Sequence, residues 1–216
     1  MISFARTETP TLNFSIAYKP IYQPLKNITT MGQYYHPTFL KKNWKLANNP
    51  VKKAFYSWDY GNGAKLMEHS YVGNNFVSAM CHLLATSDYG TPFVWCGDYA
   101  DEVQTNKGTF DIYGCGCVDE AIARSSDADK QDIPAYKYIV NLTKKEYCEV
   151  PEHRSGQLVV HPLPLLTSSG NGRGGGDYRL EDERVGRWAF DRIGVTNDKA
   201  NVQDFKKIDG YFEFDD

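Results

Sequence analysis

The stretch "NNFVSAMCHLLATSDYGTPFVWCGDY", residues 74–99, decides how this chain is read. Its first half sets Phe76, Met80, Leu83 and Leu84 at i, i+4, i+7 and i+8, the spacing of one helix face turned toward a core. Asn74 stands where its side chain can cap the first turn. Beyond Gly90, "TPFVWCGDY" is a short apolar run with β-branched and aromatic residues, which predicts a buried strand ending at Asp98.

Working outward, "AKLMEHSYV" predicts a short helix stopped at Gly73, and "MGQYYHPTFL" predicts a first strand followed by a lysine-rich loop. Downstream, "CVDEAIARSSD" predicts one more short helix. "AYKYIVNL", "KKEYCEV", "GQLVVHP" and "GRWAFDRIGV" predict strands, and "GYFEFDD" an edge strand with an acidic tail. Strands and helices do not alternate regularly, and no internal repeat is visible. The expectation is an α+β fold, a mostly antiparallel sheet with two or three helices, forming a single compact domain over residues 31–216. Residues 1–30, with prolines at 10, 20 and 24, read as an extended N-terminal arm suited to self-association or to a protein partner.

An apolar fraction of 41% is enough for a core and excludes a disordered composition. No window approaches the roughly 18–20 apolar residues of a membrane-spanning helix. The opening "MISFARTETPTLNFS" lacks a basic-then-apolar export signal, so the cytoplasm is the expected location. Five cysteines, an odd number, read as reduced thiols rather than a disulfide framework. Residues 1–58 carry eight basic residues against one acidic, +7, and the remainder sixteen against twenty-six, −10. That asymmetry fits a nucleic-acid or acidic-partner surface, or two halves that neutralise one another in the fold.

Several blocks carry a likeness: "MGQYY" (31–35), "GNGAKLMEHSYVGNNFV" (61–77), "VWCGDYAD" (94–101), "YIVNLTKKEY" (138–147), "HPLPLLTSSGNGRGGGDY" (161–178) and "VGRWAFDRIGV" (185–195). Together they resemble a family of uncharacterised proteins of bacteria and their phages whose members begin at the Met-Gly-Gln-Tyr-Tyr segment. The likeness spans residues 31 to 205 and implies one domain without implying a mechanism. Leu142 departs from the family pattern, which has a histidine after Asn141, and residues 1–30 precede the usual start.

The glycine-rich run "SSGNGRGGGDY" (168–178) formally contains G-x-G-x-x-G, but two prolines precede it and a charged segment follows. The strand and helix that a dinucleotide fingerprint requires are missing, and no Gly-Lys-Ser/Thr closes it as a Walker loop. A lone Arg-Gly-Gly is not a repeated RNA-binding tract, so nucleic acid is not expected. What remains is an anion nest of backbone N–H groups at Gly172, Gly174 and Gly175, with Arg173 and Asp177 as side-chain partners. The alternative is a glycine turn that lets a neighbouring segment approach closely.

Asp98, Asp101 and Glu102 could hold a divalent cation such as Mg²⁺, or Asp98 could cap a helix running on from it. His69, beside Glu68, and His161, before Pro162, are the candidate general bases, with Asp98 as a third catalytic candidate. Cys115, Cys117, Cys148 and His153 have the residue types of a zinc site but not its usual spacing. Three functions follow. The first in rank is an accessory protein binding an anionic, nucleotide-like molecule through the glycine-rich loop. The others are a metal-assisted phosphoester hydrolase and an assembly protein using the arm; whether the chain is an enzyme stays open.

Overall fold

The structure is a computed structural model and describes residues 32–123, 133–152, 156–171 and 182–213. Its centre is the predicted strand, β3 (Thr91–Gly97), buried on both faces. Phe93 and Trp95 enter one apolar cluster and Val94 and Cys96 the other, which is why the segment reads as an unbroken apolar run instead of an alternation.

One edge of β3 pairs antiparallel with β1 (Tyr35–Leu40), from Tyr35↔Gly97 to Phe39↔Phe93. β2 (Val51–Ala54) extends the sheet beyond β1. Two strands share the other edge: β9 (Arg192–Thr196) runs antiparallel beside Thr91 and Pro92, and the two-residue β8 (Ser168–Ser169) runs parallel beside Trp95 and Cys96. β6 (Tyr138–Asn141), β7 (Glu146–Glu149) and β10 (Lys206–Lys207) complete the order β10-β7-β6-β9-β3-β1-β2. β4 (Val103–Thr105) and β5 (Gly108–Phe110) form a separate hairpin. The fold is α+β, mostly antiparallel, in one compact domain.

The predicted long helix is α2 (Asn75–Ala85). Asn74 caps it as expected, accepting from the Phe76 and Val77 N–H groups at 2.9 and 3.2 Å. Its apolar face covers β9 and joins Phe39, Phe93, Trp95 and Trp188 in the larger cluster. α1 (Leu66–His69) is the expected short helix before Gly73.

Four helices stand among the described residues, against the two or three expected, and two of them escaped the sequence pattern. α3 (Ile112–Gly116) precedes the segment assigned to a helix, because Asp111 caps it by accepting from the Gly114 N–H at 3.0 Å. Residues 117–121 instead form a turn, and residues 121–123 lay their backbone beside β2, where Ala54 N–H donates to Ala121 O and Ala123 N–H to Ala54 O. α4 (Pro162–Thr167) replaces the end of the expected strand "GQLVVHP", of which only a Val160–Tyr71 bridge forms. Both its prolines lie in the first turn, where a missing N–H costs no hydrogen bond.

"GRWAFDRIGV" is a strand only from Arg192. Before that, Gly186 and Trp188 donate to the Leu165 and Leu166 carbonyls of α4, and Phe190 to the Phe93 carbonyl, so the alternation belongs to a hooked turn. The expected edge strand near the C-terminus does not form over Tyr211–Glu213, where Phe212 is buried beneath the Arg184 guanidinium.

Candidate functional site

Asp98 follows β3 in a turn, and no helix starts there. Its carboxylate accepts from the Tyr34 N–H at 3.0 Å while its own N–H donates to Tyr34 O at 2.9 Å, tying the chain before β1 to the end of β3. Burial pushes the Asp98 carboxyl up from its ordinary value. Asp101 and Glu102 are exposed on the extended link to β4. Among the described residues, no group of three or more His, Cys, Asp or Glu is placed to hold a metal ion. The three carboxylates therefore neither cap a helix nor converge on a cation, and the hydrolase reading loses its ligand set.

His69 is fully buried in the larger cluster. Its Nε2 accepts from Trp95 Nε1–H at 3.0 Å, so its Nδ1 carries the proton and donates to Gly63 O, also at 3.0 Å. Burial lowers its pKa to about 4 and keeps it neutral. Glu68 turns away to accept from the Lys65 N–H. Both ring nitrogens are committed, so His69 has none to offer a substrate.

His161 does line a cavity, of about 300 Å³, with Cys81, Ser78, Val72 and Tyr136 among its neighbours. Its Nε2 lies 3.7 Å from Cys81 Sγ, a nucleophile–imidazole pair that the helical pattern of α2 gave no reason to expect. The other nitrogen decides what the pair can do. Nδ1 accepts the Leu163 N–H at 3.2 Å as the N-cap of α4, so the neutral ring carries its proton on Nε2 and donates it to the sulfur. An imidazolium would place a second N–H against that of Leu163. Burial agrees with this, holding His161 down to about 3 and pushing Cys81 up to about 12. The pair stays neutral while the cap is intact, and His161 lacks the free nitrogen that a general base needs.

Gly172, Arg173, Gly174, Gly175 and Asp177 lie outside the described residues, as do the arm 1–30 and His153. The start of the glycine-rich run is visible. Gly170 abuts the side chains of Tyr35 and Gln33; a β-carbon there would sit 2.8 Å from Gln33 Oε1. Its glycine therefore permits close approach at the end of β3 where Asp98 stands. Among the described residues, Gln33 Nε2 is buried there without a hydrogen-bond partner.

The opposite end of the sheet carries a different site. Leu40, Lys41 and Lys42 at the end of β1, Lys52 on β2, Tyr89 to Pro92 entering β3, and Arg192 at the start of β9 line a cleft of about 480 Å³. Four cationic residues line it, and among the described residues no carboxylate does. Lys52 is tied to Asp88 at 2.6 Å, with Lys53 on the other carboxylate oxygen at 2.9 Å. Lys41, Lys42 and Arg192 form no ion pair among the described residues. Arg192 Nε–H donates to Gly90 O at 3.0 Å, which fixes the guanidinium and leaves its terminal amino groups uncommitted.

Antiparallel pairing creates this convergence, because it sets the end of β1 beside the beginnings of β2 and β3. The lysine excess was visible in the sequence; the arrival of Arg192 from the far end of the chain was not. No family model, curated protein or solved structure matches this chain. Among the described residues, no helix is long and apolar enough to cross a membrane.

Proposed function

We propose that this protein binds a small anionic molecule in the cleft between Lys41, Lys42, Lys52 and Arg192, as an accessory protein. The observation that carries the reading is the meeting, among the described residues, of three cations without ionic partners, beside a fourth, in a cleft lined by no carboxylate. Like charges lining one cleft repel one another, and an anion relieves that repulsion while accepting charge-assisted hydrogen bonds. Arg192 is the member best suited to fork onto two oxygens, since its Nε is already anchored.

This reading keeps the anionic ligand expected from the sequence but moves it from the glycine-rich loop to the lysine-rich end of the sheet. An origin in bacteria or their phages is part of the same proposal and rests on the resemblance of the sequence blocks; the location proposed with it is the cytoplasm of the bacterial cell.

The test is calorimetric titration of the full chain with inorganic tripolyphosphate at low ionic strength. Saturable binding is expected, weakened about 10- to 100-fold by Arg192→Ala, the worth of a hydrogen bond to a charged group. It should also weaken with added salt, as exposed charge interactions do. No binding, or equal binding by the variant, would overturn the assignment.

A further inference from the structure

The cleft is two-sided, and its second side bears on the ligand's identity. Beside the cations the cleft is lined by Tyr89, which is 44% exposed; its other apolar lining residues, Leu40 and Pro92, are buried. Tyr89 is held by its neighbours. Asp88 before it is gripped by Lys52, Lys53 and the Ser87 hydroxyl, and its N–H donates to Leu83 O at 2.9 Å. Gly90 after it donates to Ile193 O at 2.8 Å.

The ring itself lies against Gly194 of β9, where a β-carbon would come within 2.5 Å of Cε2 and 2.9 Å of Cζ. Glycine at 194 thus gives an exposed aromatic ring a seat directly on the sheet. Gly90, at φ +73°, does the same for the neighbouring cation, since a β-carbon there would stand 3.2 Å from Arg192 Nη2. A bare inorganic anion has no use for a seated aromatic ring, whereas a flat heterocycle joined to a phosphate chain uses both sides.

We infer that the cleft takes a nucleoside polyphosphate, with its base on the Tyr89 ring and its phosphates on Lys41, Lys42, Lys52 and Arg192. The inference rests on the anion-binding reading above and adds the aromatic platform to it. A cleft of about 480 Å³ lies within the range of single small-molecule sites.

Calorimetric titrations of the full chain with ATP, inorganic tripolyphosphate and adenosine, for the wild type, Tyr89→Ala and Tyr89→Phe, test it. ATP should bind more tightly than tripolyphosphate, and adenosine more weakly than either. Tyr89→Ala should weaken ATP roughly 5- to 100-fold, the range of one base stacked on an aromatic ring, and leave tripolyphosphate within about twofold of wild type. Tyr89→Phe should keep the wild-type preference, which separates stacking from any role of the hydroxyl. If ATP bound no better than tripolyphosphate, or if Tyr89→Ala weakened both equally, the platform would be refuted while anion binding stood. If neither bound, both readings would fall together.

Discussion

Acidification should destabilise this protein well above the carboxylate range, because three histidines are buried in neutral form. Burial lowers His36 and His69 to about 4 and His161 to about 3, against 6.5 for an exposed imidazole. The folded-state values lie below the unfolded one, so the unfolded chain takes up protons first. Stability is therefore full above about pH 6.5, falls as pH drops through that value, and levels off only below the folded-state values. Between pH 7 and pH 5 each ring forfeits about 2 kcal/mol, and the three together about 6 kcal/mol.

That is comparable with the whole stability of an ordinary domain, about 5–15 kcal/mol. Asp98, pushed upward by burial, protonates first in the folded state and works in the opposite direction as pH falls. Equilibrium urea unfolding followed by tryptophan fluorescence at pH 7.5, 6 and 5 would read the effect, since Trp95 and Trp188 are fully buried. His161→Asn supplies a control: asparagine can keep the cap on α4, and the variant should lose about a third of the pH dependence. An unfolding free energy at pH 5 within about 1 kcal/mol of that at pH 7.5 would refute the assignment of three neutral buried imidazoles.

Three further outcomes are expected. Gly186→Ala should cost about 2–4 kcal/mol, read as a fall in the urea midpoint, because the residue sits at φ +73° with Ser168 O only 2.8 Å from where a β-carbon would stand. Asp88→Ala should cost about 1–3 kcal/mol by the same assay; Lys52, 47% exposed at its side chain, can return to water, whereas Lys53 is more enclosed and lies over the Phe39 and Phe55 rings. With a chromogenic disulfide at neutral pH, Cys117 should react fastest and half-buried Cys115 more slowly. Cys81, Cys96 and Cys148 should wait for denaturant, because burial pushes their thiols upward.

The parts of the fold that were legible are those where one local signal dominates. Asn74 and the apolar stripe of α2 specify a capped helix without tertiary help, and the apolar run of β3 announces a strand covered on both faces. Patterning failed where backbone partners came from elsewhere. The hooked turn before Arg192 alternates like a strand only because its N–H groups reach α4 and β3 in succession. α4 was hidden by prolines that disrupt a helix interior but suit its first turn.

The site was legible as composition and not as geometry. The lysine excess before Asp59 was plain, but its meeting with Arg192 and Tyr89 depends on sheet order, which no local signal encodes. His69, beside Glu68, and His161, before Pro162, read from the sequence as candidate general bases. Their hydrogen bonds to Trp95, Gly63 and Leu163 explain them as buried structural groups instead.

The most direct test is amide chemical-shift mapping of the isotope-labelled full chain during titration with inorganic tripolyphosphate. The account predicts saturable shifts at Lys41, Lys42, Lys52, Gly90, Thr91 and Arg192, all on one binding curve. Shifts confined to Gly170, at the opposite end of β3, and to the glycine-rich residues that follow it in sequence, or no saturable shift at all, would contradict it.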